Sequence, residues 1–304
     1  MPEKPTLPSL FLTSQDLPMS FPPRTVAAAG YGGAGSLAHG MSSIFTAVQY
    51  WLVNHPKIIN FSWKQEHTFG SSHLFLALTV LSYLAFTSLL NYAQLSVKPQ
   101  LLRAITAVHN LVLLTLSHTM AVGCVLSSIS QAPSLHWIMC FPKNTPPSGP
   151  IFFWAYVFYL SKILEFVDTL LIILSGSTRR LSFLHVYHHA TVVIMCYVWL
   201  NTSQSFFPVA LTVNSSVHVL MYAYYFLCSV GLRPKWKKLV TNCQIVQFWF
   251  SFLAFGLVLC CHFTGPGCSG IPGWCFNIMF CASLLVLFID FYTKNYVKLK
   301  AKGA

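Results

Sequence analysis

Seven long apolar runs limit what this chain can fold into. They cover residues 73–92, 104–126, 151–174, 183–200, 206–228, 239–262 and 274–293. Each approaches the roughly 20 residues that carry an α-helix across a hydrocarbon layer. Charge is scarce: 8% of residues are charged and 55% are hydrophobic, where a water-soluble domain carries about 25% charged residues. In lipid every backbone N–H and C=O must find its partner inside the protein, so only helices and closed barrels span it. Barrel strands would read as short alternating segments, whereas continuous runs predict helices. The expected fold is an all-α polytopic membrane protein with seven transmembrane helices. Run 183–200 is the shortest and is interrupted by histidines, so periodicity alone does not secure it.

The net charge of +12 raises the question of nucleic acid. A nucleic-acid surface gathers its basic residues in one stripe with interleaved aromatics, and here they lie in short gaps. Lys98 and Arg103 follow the first run and Arg179 and Arg180 the third. Arg233, Lys235, Lys237 and Lys238 follow the fifth, and Lys294, Lys298, Lys300 and Lys302 the last. The intervening gaps hold only Lys143. Positive loops stay in the cytosol, so this alternation predicts a lumenal N-terminus and a cytosolic C-terminus, with no nucleic-acid partner. Lys300 and Lys302 resemble a dilysine endoplasmic-reticulum retrieval signal; a basic end resting on anionic lipid is the plainer alternative. The expected location is the endoplasmic reticulum membrane.

Four segments follow. Residues 1–40 are rich in Pro, Gly and Ser and read as a mobile lumenal tail. Residues 41–72 are mixed and aromatic, with Trp51 and Trp63, and are expected at the lumenal membrane surface. Residues 73–293 form the membrane domain and 294–304 a basic cytosolic tail. The opening MPEKPTLPSL has no apolar core, so no cleaved signal peptide is expected. The ten Cys show no CxxC or Cys/His zinc spacing, and no metal site is expected. Cys196, Cys243 and Cys281 fall inside apolar runs as small core residues.

Polar groups inside the runs are few and grouped. The third run carries Lys162, Glu165 and Asp168, and ionisable groups in a span are costly enough to mark a site. Lys162 and Glu165 stand three apart on one helical face, with Thr169 four beyond Glu165. An ion pair that merely pins helices together is the bland alternative. The fourth run opens His185-Val186-Tyr187-His188-His189, which places three imidazoles on one helical face. Metal ligation, or acid–base and nucleophilic work, would use such a set. The fifth run holds Asn214, His218, Tyr222 and Tyr225 on one stripe, and the sixth Thr241, Gln244 and Gln247. Polar seams between membrane helices are the bland reading of both.

Depth connects the four sets. Runs three and five go from lumen to cytosol with their polar residues late, and runs four and six return with theirs early. All four sets therefore share the cytosolic half, above apolar and aromatic lumenal halves. A polar chamber over a greasy channel suits a substrate with a polar head and an acyl tail.

The segments SKILEFVDT (161–169), FLHVYHHA (183–190), NSSVHVLMYAYY (214–225) and TNCQIVQF (241–248) resemble, in order, the four signature boxes of the very-long-chain fatty acid elongase (ELO) family. The segment YWLVNHPKIINFSW (50–63) resembles the family's plant branch. The resemblance implies seven spans, six of them forming a barrel around an acyl tunnel. It implies condensation of acyl-CoA with malonyl-CoA to give 3-ketoacyl-CoA, carbon dioxide and CoA, with no bound cofactor. The partners implied are membrane lipid and the ketoacyl-CoA reductase, dehydratase and enoyl reductase that complete the cycle; a homo-oligomer is compatible with it.

Within that resemblance His188 is the expected nucleophile, since a neutral imidazole can attack a thioester. His218 would position malonyl-CoA or handle its proton, with His185 and His189 orienting. Asn214 and Gln244 are candidate oxyanion donors. Lys162, Glu165, Asp168, Tyr187, Tyr222, Tyr225 and Gln247 are candidate substrate-binding residues. Direct acid–base catalysis without an acyl-enzyme stays open. Trp199, Phe206 and Phe207 are unranked candidates for the end of the tunnel. The resemblance and an oxidising lumen point to a Cys140–Cys268 disulfide, with Cys275 as a competing partner.

Two rivals remain. HxxHH boxes also occur in membrane di-iron desaturases and hydroxylases, but several boxes are needed there. His109, His118 and His218 stand alone in other runs. A seven-span transporter would place its polar groups at the midplane between broken helices, and neither feature is evident.

Overall fold

The computed structural model of the chain describes residues 34–93, 97–177 and 180–297. The helices in chain order are α1 Ala34–Gln49, a π-helical turn Tyr50–Asn54, α2 Pro56–Ile59, α3 His73–Ala93, α4 Pro99–Gln131 and α5 Leu135–Met139. Then come α6 Pro150–Leu164, α7 Phe166–Leu174, α8 Phe183–Asn201, α9 Phe207–Ser229, α10 Lys237–Thr264, α11 Ile271–Tyr292 and a π-helical turn Thr293–Val297. The chain divides after Ile44 into two compact units. Residues 34–40, expected in a mobile tail, belong to α1; a Gly costs a helix only about 1 kcal/mol, which does not forbid one among Ala and Leu. Arg179, Lys298, Lys300, Lys302 and residues 1–33 lie outside the described residues.

All seven apolar runs are helical. Prolines open α4, α6, α9 and α11, in the first turn, where a missing N–H breaks no helical bond. Ser182 caps α8, its Oγ accepting from the backbone N–H of His185 at 3.2 Å, and so fixes where the histidine box starts. Among the described residues, five helices are long and apolar enough to cross a membrane: His73–Ala93, Pro99–Gln131, Phe183–Asn201, Lys237–Thr264 and Ile271–Val297. The chain is a multi-pass membrane protein. Helix α9 has the length, but Asn214, Ser215, Ser216 and His218 interrupt its apolarity. The third run departs from the single helix expected over 151–174. It breaks at Glu165 into α6 and α7, because the backbone tightens to an i→i+3 bond from Asp168 N–H to Glu165 O at 3.0 Å.

The pairings α4 on α6, α6 on α8, α8 on α11, α11 on α10 and α10 on α9 return to α4 through its long contact with α9. Helix α3 stands to the side, against α7 and α8. Close approach depends on a small residue at Gly123, where a Cβ would run into the Trp154 ring. The outward faces carry exposed Leu74, Leu81 and Leu89 on α3 and Trp249 and Leu253 on α10, a surface suited to hydrocarbon.

Loops close one end of the bundle. Cys140 and Cys268 form a disulfide, while Cys275 is a free, exposed thiol. Ser205 knits these loops together. Its Oγ accepts from Phe141 N–H at 2.9 Å and donates to Ser269 O at 2.9 Å, and its carbonyl accepts from Trp274 Nε1 at 2.9 Å. Gly270 (φ +79°) lies so close beneath Gln204 that a Cβ there would strike its backbone. Residues 52–63 dock on the same end. Trp63 is buried and its Nε1 donates to Asn201 Oδ1 at 2.7 Å, and Trp154 Nε1 donates to Leu52 O at 3.0 Å. Cys196 and Cys281 are buried core thiols, and Cys243 is half-buried.

Candidate active site

At and just after the break, three polar residues of one short segment, Glu165, Asp168 and Thr169, reach four other helices. Glu165, buried, accepts from Lys162 Nζ at 2.7 Å, and its Oε1 lies 3.5 Å from His218 Nδ1 on α9. Asp168 meets His109 Nε2 of α4 at 2.9 Å through Oδ1, and accepts from the Tyr222 hydroxyl of α9 at 2.8 Å through Oδ2. Thr169 Oγ1 lies 2.8 Å from His185 Nε2 on α8 and 3.0 Å from the Tyr83 hydroxyl on α3. The segment 161–169 is thus a hub that touches four other helices through side-chain hydrogen bonds.

Lys162 is buried as deeply as Glu165. Its ammonium also lies over the Phe158 ring at 4.5 Å and 3.4 Å from His218 Nδ1. Removing two charges from water is costly unless they are paired and hydrogen-bonded. Glu165 Oε2 is buried and lacks a hydrogen-bond partner among the described residues. The pair is therefore incompletely satisfied, with an imidazole beside it.

The histidine box faces two ways. His185 turns to Thr169, and its ring lies 4.4 Å from that of His189. His188 lies 5.2 Å from His189 on its other side and parallel to Phe280 at 6.3 Å, interplanar angle 13°. His189 is buried, with Nδ1 unpartnered among the described residues. A cavity of about 60 Å³, with His188 among its lining residues, lies between α8, α9, α10 and α11. Its α8 wall is His188, Val192, Met195 and Trp199, a stripe that descends about 16 Å along the helix. Asn214 and Gln247 line it too, and Asn214 Oδ1 and Gln247 Oε1 are buried without a hydrogen-bond partner among the described residues.

Some expected residues stand elsewhere. Gln244 was paired with Asn214 as an oxyanion donor, but its Nε2 meets Met221 Sδ at 3.5 Å and it does not line the cavity. Gln247, three residues on and about 60° short of a full turn round α10, lines the cavity in its place. Thr169, expected beside Lys162 and Glu165, has its hydrogen bonds to His185 of α8 and Tyr83 of α3. Tyr187 ties α8 to α11 through Ser283 Oγ at 2.7 Å. Tyr225 is 44% exposed, at the rim beside Tyr222 and Tyr224. His109, read as a lone histidine, is in the network. The available signal was the need of Asp168, an acid inside a span, for a cationic or donating partner.

Among the described residues no group of three or more His, Cys, Asp and Glu side chains converges as metal ligands would. The donor geometry gives the di-iron reading no support.

The likeness to known proteins runs along most of the chain. The family ELO, described as the GNS1/SUR4 family, matches residues 68–304. "Fatty acid elongase 3-like" of Arabidopsis thaliana is 30% identical over 273 residues, 84% of this chain and 94% of that protein. "Fatty acid elongase A" of Dictyostelium discoideum is 35% identical over 253 residues, 79% of this chain and 90% of its own. "Very long chain fatty acid elongase 5" of Rattus norvegicus is 42% identical over 158 residues, about half of each chain. With a family match over more than three quarters of its length and relatives aligned nearly end to end, the chain belongs to the GNS1/SUR4 (ELO) family.

Proposed function

We propose that this protein is a very-long-chain fatty acid elongase, a 3-oxoacyl-CoA synthase that condenses acyl-CoA with malonyl-CoA to 3-ketoacyl-CoA, carbon dioxide and CoA. The observation that carries the reading is a cavity lined along α8 by His188, Val192, Met195 and Trp199. An acyl chain threaded along that stripe brings its thioester to the imidazole. Family membership supplies the reaction class.

In the mechanism we favour, His188 attacks the acyl thioester, the C–S bond breaks, and CoA leaves as the thiol with the imidazole proton. Asn214 and Gln247, which line the same cavity as His188, would donate their amide N–H groups to the developing oxyanion. Lys162 and His218 receive the malonyl carboxylate. Its C–C bond breaks to release carbon dioxide, and the electron pair left on the α-carbon attacks the acyl-imidazole carbonyl. The C–N bond then breaks, the leaving imidazole nitrogen takes from solvent the one proton that the overall reaction consumes, and neutral His188 is regenerated. No step needs a metal or a resident cofactor. Direct acid–base catalysis by the same histidines is the competing route.

The setting belongs to the same proposal. Seven spans cross the endoplasmic reticulum membrane with the N-terminus lumenal and the C-terminus cytosolic, and six of them close a barrel around the acyl tunnel. The cyclic helix pairings support the barrel, and the charge alternation and the disulfide support the orientation. The reductases and dehydratase of the cycle would take the product onward. The test is release of labelled carbon dioxide from carboxyl-labelled malonyl-CoA by purified protein, across a ladder of acyl-CoA lengths, with His188→Ala alongside. Acyl-dependent release that the variant loses supports the reading. No release with any acyl-CoA from folded wild-type protein overturns it.

A further inference from the structure

We propose that His109 is a positioning residue of the condensing site, acting through Asp168 and Tyr222 on His218. The proposal rests on the elongase reading above.

Both oxygens of Asp168 are engaged, one by His109 Nε2 at 2.9 Å and one by the Tyr222 hydroxyl at 2.8 Å. An ionised carboxylate only accepts, so this pattern makes both partners donors. The Asp168 side chain is only 18% exposed, and a carboxylate held that far from water must keep its donors. His109 is one of the two, and it comes from α4, a helix that otherwise contributes no hydrogen bond to the hub among the described residues. Tyr222 has no exposure, and its ring stands 5.7 Å from the ring of His218 at 63°. Its O–H bond to Asp168 therefore sets the tilt of the ring that flanks His218. On its other side His218 meets Glu165 Oε1 and Lys162 Nζ. His109 touches none of these directly. Its leverage is to hold Asp168, which holds the phenol, which bounds the imidazole.

A residue that merely pinned α4 to α7 would change stability and leave the rate of folded enzyme alone. A positioning residue changes kcat, because small displacements of a reacting group are expensive in rate. The variants are His109→Leu, His109→Gln, Tyr222→Phe and the double variant His109→Leu/Tyr222→Phe, made in the full chain. For each, kcat and the KM of each substrate would be measured by carbon dioxide release, beside the midpoint of thermal unfolding. His109→Leu should lower kcat roughly ten- to a hundredfold while the KM for acyl-CoA holds within about twofold. His109→Gln keeps an N–H donor for Asp168 and should recover most of the rate. Tyr222→Phe should match His109→Leu, and the double variant should be no slower than the slower single one, as for residues acting in series. Unchanged kcat in folded His109→Leu, or losses that multiply in the double variant, would overturn the assignment. Should His109→Leu not fold, Tyr222→Phe decides alone, since it removes one hydroxyl and keeps the ring: full activity overturns the relay. A wild-type protein that releases no carbon dioxide overturns the elongase reading itself, an outcome distinct from active wild type with indifferent variants.

Discussion

The ammonium of Lys162 lies 3.4 Å from Nδ1 of His218, and the Glu165 carboxylate is within reach of both. A cation, an anion and an imidazole thus share one buried site, with Lys162 in the last turn of α6 and Glu165 at the helix break. Losing one partner of a buried ion pair leaves an uncompensated charge and costs about 3–5 kcal/mol, while removing both is often neutral. Lys162→Met should therefore lower the unfolding midpoint sharply, and Lys162→Met/Glu165→Gln should recover most of it. Neither variant should condense, because the malonyl carboxylate has lost its cation. Thermal unfolding in detergent checks the first part and carbon dioxide release the second. Equal stability of the two variants would mean that the pair is not coupled.

The two chemical routes differ in what they leave on the protein. If His188 carries the acyl group, incubation with acyl-CoA alone should release CoA thiol and add one acyl mass to the intact chain. Peptide analysis should place that mass on 183–190, and malonyl-CoA should discharge it. His188→Ala should show no adduct. Direct acid–base catalysis predicts no thiol release until malonyl-CoA is present. His188 makes a sharper probe than its neighbours, since His185 also holds Thr169 at 2.8 Å. Loss of that bond would cost stability by about 1–3 kcal/mol.

Much of the architecture was legible in the sequence because lipid imposes a one-dimensional rule. Each span must be apolar over a fixed length, and most of the seven runs stood out on that rule; run 183–200, short and interrupted by histidines, stood out least. The boxes could be grouped, since residues sharing a helical stripe and a depth must lie near one another. What could not be read depends on rotation between helices. Gln244 and Gln247 lie on neighbouring arcs of α10, and only the setting of that helix decides which meets the cavity. The break at Glu165 carries no Pro or Gly to mark it in the sequence. His109 looked isolated because its partner sits 59 residues away on another helix. Trp63 looked interfacial because aromatic side chains favour that zone, and its burial depends on Asn201 and on a cluster of tyrosines.

The disulfide closes a loop with a sequence separation of 128 residues. On the chain-entropy account a loop of that size contributes about 3–5 kcal/mol. Cys140→Ser and Cys268→Ser should each lower the unfolding midpoint by the same amount, and the double variant should be no worse than either. Phe141 and Ser269, next to the two cysteines, share a backbone bond of 2.9 Å and both bond to Ser205. Loosening should therefore appear first in the loops around Ser205, as faster amide exchange at 203–206 with exchange in α4 unchanged. Exchange that rises equally along α4 would place the stabilisation elsewhere.

Trp199 is the residue expected to set product length. Of the three aromatic candidates it alone lines the cavity below His188; Phe207 stacks behind it at 6.2 Å, and Phe206 belongs to the separate cluster around the disulfide. Phe158 stacks on Trp199 at 5.8 Å with an interplanar angle of 7°, so the indole is held by rings and cannot easily swing aside. Its Nε1 has no hydrogen-bond partner among the described residues, so replacing it should sacrifice none. Trp199→Leu removes bulk from the bottom of the stripe and should move the product profile toward longer chains by at least one further cycle. Activity on the shortest accepted acyl-CoA should hold within about threefold, since a change of one apolar contact is worth only about 1–3 kcal/mol. Met195, higher on the stripe and flexible, supplies the control. Met195→Phe should block long substrates while short ones still react. Product chain lengths from a ladder of acyl-CoA substrates, resolved by mass spectrometry, check both variants. A Trp199→Leu profile identical to wild type would place the end of the channel somewhere other than this ring.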